Sequence, residues 1–168
     1  MSAALEASFA EMSHAELPGL HRFAAGVGGS NDADDLVQAA LEAMYLAWPR
    51  VHGVEHPGAY ARTVLLRLLL REQRRARWRR ETTTAHPPDR GTADPTASAD
   101  DRVDLADLLS TLTVKQRAVL VLRYVEDRPV GEVAAVLGVS QGTVKRRSFD
   151  ALELLRRQIS PVPARSTP

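Results

Sequence analysis

Apolar positions recur along this chain at helical spacing, and no segment shows the two-residue alternation of a half-buried strand. Over Ala33–Trp48 the apolar stripe is Val37, Ala40, Leu41, Met44 and Trp48, with Ser30, Asn31 and Asp32 as N-cap candidates and Pro49 as a stop. His56-Pro57-Gly58 punctuates the chain before a second helix, about Ala59–Arg80. Its first half is apolar and its second half, REQRRARWRR, is nearly all arginine. The segment before Gly26 reads as a weaker helix, because Pro18, Gly19 and Gly26 interrupt it and thin its apolar pattern. Farther on, Asp104–Leu112 predicts a short helix. Thr113 then starts another, with Gln116 at capping-box spacing and Ala118, Val121, Leu122 and Val125 as the buried face.

The sharpest pattern is Pro129–Arg157, which predicts two helices joined by a tight turn. The first runs from about Val130 to Leu137, with Pro129 near its start where a missing N–H costs nothing, and Gly138 stops it. Val139 fills the corner, Ser140 caps the second helix, and Val144, Ala151 and Leu155 form that helix's buried stripe. Lys145, Arg146 and Arg147 stand in its first two turns, where the recognition helix of a helix-turn-helix meets base edges and phosphates. A helical pair with a solvated basic face gives the same string.

Between these halves, residues 81–101 hold three prolines, many Thr, Ser, Ala and Asp residues, and no apolar period. Such a stretch buries too little to offset its ordering entropy, so 82–101 is expected to be a flexible tether between helical domains at 1–81 and 102–159. Residues 160–168 read as a disordered tail. Composition narrows the class further. With 168 residues and 44% hydrophobic content the chain suits one domain or two small ones. It has no cysteine, which excludes disulfides and thiolate metal sites and suits a reducing compartment. The longest apolar run, Val64–Leu70, is broken by Arg67, and no signal-peptide pattern opens the chain, so membrane insertion is not expected and a cytoplasmic location is. Only Lys115 and Lys145 are lysine among the 22 basic residues, which with the abundant alanine suggests a GC-rich coding genome.

The net charge of +1 conceals a segregation. Residues 1–60 sum to −6, 61–80 to +7, 81–101 to −4 and 102–168 to +4. Two basic centres are thus set apart by acidic segments, a footprint of phosphate binding at two places. In the first centre, Trp78 lies among Arg71, Arg74, Arg75 and Arg77, an arrangement that stacks an unpaired base while guanidinium groups hold phosphates; a tryptophan packed inward on a solvated helix end fits the string equally. An enzyme would have to use His14, His21, His52, His56 or His86, which lack metal-ligand or triad spacing, and no cofactor is implied. A stand-alone helix-turn-helix regulator explains residues 129–157 but leaves the first half without a role.

Two spaced motifs, DADDLVQAALEAMYLAW at Asp32–Trp48 and LLSTLTVKQRAVLVLRYVEDRPVGEVAAVLGVSQGTVKRR at Leu108–Arg147, resemble those of extracytoplasmic-function sigma factors, in particular the SigE-like group of high-GC bacteria. The resemblance covers about Phe9–Arg157. It implies an all-α, two-domain subunit that gives bacterial RNA polymerase its promoter specificity and has no catalytic activity of its own. It further implies that region 2 binds the β′ clamp helices and opens the −10 element, while region 4 reads the −35 element and binds the β flap. By that resemblance Asp35, Leu36, Val37 and Gln38 match the polymerase-docking motif, with Leu36 and Val37 equally readable as core. Tyr60–Arg80, including Arg67, Arg71, Arg74, Arg75, Arg77 and Trp78, corresponds to the −10 segment. Gln141, Gly142, Thr143, Lys145, Arg146, Arg147 and Phe149 correspond to −35 contacts. An anti-sigma factor is a partner the resemblance leaves open. The chain departs from the family where Arg67 replaces a frequent asparagine, Ala39 a frequent acid, Arg146 a common serine and Asp150 a frequent arginine.

Overall fold

The computed structural model describes residues 2–29, 32–82 and 105–159, and it contains helices and no strand among them. In order these are α1 (Ala3–Gly28), α2 (Ala33–Val51), α3 (Pro57–Thr82), α4 (Leu105–Ser110), α5 (Val114–Leu120), a π-helical turn (Val121–Val125), α6 (Val130–Leu137) and α7 (Gln141–Ile159). The expected tether beyond Thr82, the tail at 160–168 and the caps Ser30 and Asn31 lie outside the described residues. Asp32 holds the N-cap position of α2 but makes no side-chain cap bond.

Helices α1, α2 and α3 pack into a three-helix unit. The α2 stripe is buried at Val37, Ala40, Met44 and Trp48 and meets Leu20, Phe23, Ala24 and Val27 of α1 and Leu65, Leu66 and Leu69 of α3. At its open end the Trp48 indole donates to Ser8 Oγ at 2.9 Å, and Phe9 stands edge-on to both Tyr45 and Trp48. Contrary to the expected interruption, α1 is continuous through Pro18 and Gly19. A proline in a helix interior removes one backbone bond, and the burial of Leu20, Phe23, Ala24 and Val27 offsets that loss. Its glycines are not loose packing either. A Cβ at Gly19 would collide with the Arg62 guanidinium, and one at Gly26 would lie 2.7 Å from a Val121 methyl, so both mark close approaches to neighbouring helices. Likewise α2 runs three residues past Trp48 and takes Pro49 into its last turn.

In the second half local chemistry sets the boundaries. Thr113 and Gln116 form the full capping box at the start of α5. Gly138, at φ 62, ends α6 in the left-handed region, and the Val139 N–H closes the cap on the Ala134 carbonyl at 3.0 Å. The Thr143 N–H donates to Ser140 Oγ at the start of α7. The short helix before α5 is Leu105–Ser110 and ends before the expected Leu112, while Asp104 lies outside the described residues.

One expectation fails for a geometric reason. A 3.6-residue period places Val125 on the buried face of the fifth helix, yet it is 61% exposed. Past Leu120 the chain widens into the π turn, with the Glu126 N–H bonded to the Val121 carbonyl five residues back, so the phase slips and Val125 rotates outward with Tyr124. Val121 and Leu122 stay buried, and their layer joins Val133, Val136 and Val144 to the core of the first three helices.

The phase slip makes Leu122 and Val125 unequal despite their common apolar character. Leu122→Ala is expected to lose about 2–5 kcal/mol in a denaturant titration, whereas Val125→Ser should stay within about 0.5 kcal/mol of the parent. Equal losses would restore an unbroken α-helical register.

Candidate nucleic-acid interface

Helix α3 has two opposed faces. Ala61, Arg62, Leu65, Leu66 and Leu69 are buried, and at 100° per residue they lie together on one side. Arg67, Arg71, Arg74 and Trp78 follow one another at helical spacing on the other side, flanked by Arg75 and Arg77. All six are exposed, Trp78 at 66%. The stripe from Arg67 to Trp78 is therefore about 16 Å of cationic helix surface bearing an outward indole. The structure brings these expected residues onto one face and turns the tryptophan away from the core.

Helix α7 supplies the second basic surface. Val144 and Ala151 anchor it against α5 and α6, with Leu155 half-buried. Lys145, Arg146 and Phe149 stand exposed and Arg147 half-exposed, with Phe149 at 62%. Gln141 and Gly142 open the helix in the exposed position where the first N–H groups have no intrahelical acceptor, and the Thr143 hydroxyl lies 2.9 Å from Ser140 Oγ. A helix start of this kind, with positive charge one turn on, suits an anion. The exposed Asp150 carboxylate approaches Arg146 Nε at 3.9 Å and places a negative charge on the same surface.

The four residues of the Asp-Leu-Val-Gln motif separate by burial. Leu36 and Val37 are 3% and 2% exposed and belong to the core, while Asp35 and Gln38 face outward. They line different hollows. Gln38, hydrogen-bonded to Glu42, borders an apolar groove of about 580 Å³ between α1 and α2, together with Leu17, Leu41, Tyr45 and the 78% exposed Leu46. Asp35 borders a polar hollow of about 520 Å³ with Asp32, Glu72, Arg75 and Arg79. Sequence reasoning did not single out Tyr45 and Leu46. Their signal is apolar character off the α2 stripe, beside Gln38 and Glu42 at helical spacing. It also missed Arg62, whose signal is a lone arginine in the buried phase of α3. His21 pairs with Asp34 at 3.2 Å, His52 contacts the Trp48 carbonyl and His56 neighbours Glu55, so these histidines are dispersed rather than gathered into a site.

Comparison with known proteins matches these two halves separately. The family described as Sigma-70 region 2 matches residues 12–79, and the family described as Sigma-70, region 4 matches residues 108–157. The RNA polymerase sigma-E factor of Streptomyces avermitilis is 40% identical over 128 residues, 76% of this chain and 71% of that protein. The ECF RNA polymerase sigma factor SigL of Mycobacterium tuberculosis is 34% identical over 136 residues, 77% of this chain and 75% of its own length. In fold, the chain resembles the sigma factor RpoE from Bartonella quintana, solved in complex with the anti-sigma factor NepR. The TM-score is 0.70 at 23% identity, covering 90% of this chain and 96% of that one.

The Asp150 carboxylate opposes the positive charge on the exposed face of α7. Asp150→Ala is expected to raise duplex affinity about threefold or more, and Arg74→Ala to lower the salt-dependence slope by about one unit, both read from fluorescence anisotropy across a salt series. An Asp150→Ala protein with unchanged affinity would remove α7 from the phosphate surface.

Proposed function

The chain belongs to the extracytoplasmic-function sigma factors of the sigma-70 family, and from that premise we propose how its surfaces divide the work of promoter selection. It binds core RNA polymerase and directs promoter-specific transcription initiation at −10 and −35 elements. The α3 stripe Arg67, Arg71, Arg74, Arg75, Arg77 and Trp78 engages the −10 element, its guanidinium groups on phosphates and Trp78 stacked on an unpaired base. Arg146 and Arg147, with Lys145 and Phe149, read the −35 major groove, while Gln141, Gly142 and Thr143 hold a phosphate at the start of α7. Asp35 and Gln38 contact the polymerase, and Leu36 and Val37 support them from the core.

The observation that carries this reading is the ordered pair of region 2 and region 4 in one chain, each with its own exposed basic helix face. A stand-alone helix-turn-helix regulator has no use for residues 12–79, so that reading is not favoured. Sigma factors are initiation factors; here too the bond-making chemistry stays with the polymerase, and the chain needs no catalytic group of its own. We place it in the cytoplasm, with the polymerase and the chromosome. No helix among the described residues is long and apolar enough to cross a membrane. An anti-sigma partner belongs to the same proposal, since a sigma factor of similar fold was solved with one.

Asp35→Arg combined with Gln38→Ala tests the division of labour. The double variant is expected to bind core polymerase about tenfold or more weakly, since interface centres tolerate charge reversal poorly, while α7 keeps its duplex affinity. Undiminished polymerase affinity in a variant with native helicity would return the chain to the regulator class.

A further inference from the structure

Helix α7 carries an ion pair on its outward face. Counted at about 100° per residue, Arg146 stands about 160° round the helix from the stripe of Val144, Ala151 and Leu155, Asp150 about 120° and Arg147 only about 60°. Arg146 therefore points most directly away from the core, and Arg147 hugs the flank. Exposure agrees, since the side chains of Arg146 and Asp150 are 85% and 52% exposed while Arg147 is half-buried. Asp150 Oδ2 lies 3.9 Å from Arg146 Nε, one helical turn on. The carboxylate approaches along the Nε edge, so the two terminal Nη groups, the fork that fits two acceptors at once, stay open to whatever α7 meets.

Stability does not account for this pair. An exposed ion pair one turn apart contributes little to a helix, and less still with the cation on the N-terminal side. A carboxylate beside Lys145, Arg146 and Arg147 also weakens the attraction of α7 for every duplex alike. What it can supply is discrimination.

An unrestrained arginine in a major groove finds many acceptors within reach, including phosphates and the single acceptor atoms of other bases. Held at Nε by a carboxylate, it keeps its Nη fork directed at one pair of acceptors, and guanine presents such a pair in O6 and N7. The carboxylate also acts by repulsion. It disfavours phosphates and base-edge oxygens beside the fork, which penalises wrong sequences more than the right one.

We propose that Arg146 and Asp150 form one reading unit in the −35 major groove, in which Arg146 contacts a guanine and Asp150 is the residue that positions it. The inference rests on α7 being the −35 helix and goes beyond that reading by tying one base to one side-chain pair. Both residues depart from the pattern the sequence otherwise resembles, so the unit is a feature of this chain.

The test is selection from a duplex library randomised across the −35 element, made by the full-length chain assembled with core polymerase. Fluorescence anisotropy on the enriched duplex and its single-base variants then measures the preference. The parent should enrich a guanine at one position and favour it over the other bases about tenfold or more, and Arg146→Ala should abolish that preference. Asp150→Ala should reduce it to about threefold or less while unrelated duplex binds more tightly, a split that loss of a merely structural residue does not produce. Asp150→Glu keeps the carboxylate and should keep most of the preference. In the combined Arg146→Ala, Asp150→Ala variant the two losses should not add, because both act on the same contact. Both side chains are exposed, so these variants leave the core intact.

A guanine preference that survives Asp150→Ala or Arg146→Ala, an enriched motif without guanine, or uniform weakening of all duplexes by Asp150→Ala would each overturn the unit. Enrichment of no sequence at all would remove α7 from the groove and the unit with it. Failure of the chain to assemble with core polymerase would sink the sigma-factor reading instead, and the same selection by the chain alone would still decide whether Asp150 positions Arg146.

Discussion

A guanidinium ion shut away from water must be surrounded by carboxylates and carbonyls, and Arg62 imposes that requirement on most of this molecule. Glu16 must come from α1, Glu126 must come from beyond α5, and the backbone of α1 must pass close enough that only glycine fits at position 19. The π turn serves the same end. By adding a residue to the last turn after α5 it leaves Val121 and Leu122 in the core and delivers Glu126 to the guanidinium. With Arg62 neutralised, Leu65, Leu66 and Leu69 can lie against α1 and α2, and the opposite face of α3 is left to Arg67, Arg71, Arg74 and Trp78. The outward cationic stripe and the inward lone cation are thus two consequences of one helical phase.

Function then follows from the separation of two modest binding surfaces. Neither the α3 stripe nor the α7 face is extensive, and on the proposed reading each alone would hold DNA chiefly through phosphate charge. Joined by one chain, the second contact becomes intramolecular once the first is made, which multiplies affinity only where linker and spacing agree. On that proposal, promoter selection measures distance as well as base sequence.

The features legible in the sequence are those set by local chemistry. Thr113 with Gln116, Gly138 and Ser140 fix helix boundaries through bonds made within a few residues, and the structure places those boundaries as read. The buried α2 positions Val37, Ala40, Met44 and Trp48 follow from period, whereas the string alone leaves Trp78 facing inward or outward. The unread features depend on the partner across the core. Gly19 and Gly26 look like weaknesses until Arg62 and Val121 occupy the space beside them, and Val125 looks buried until the π turn shifts its phase. Pro18 and Pro49 look like breaks because tertiary packing, which carries α1 and α2 through them, leaves no local mark. Within the candidate interface the basic residues were visible in advance, whereas the burial of Leu36 and Val37 and the exposure of Tyr45 and Leu46 emerged only from the packing of α1 on α2.

The most direct measurement is run-off transcription by core polymerase on genomic promoter fragments, with and without this protein, followed by the same assay after inserting half a helical turn between the two elements. The account predicts discrete transcripts only when the protein is present, and their loss when the spacing changes although both elements remain intact. Equal transcription without the protein, or transcription indifferent to the insertion, would contradict it.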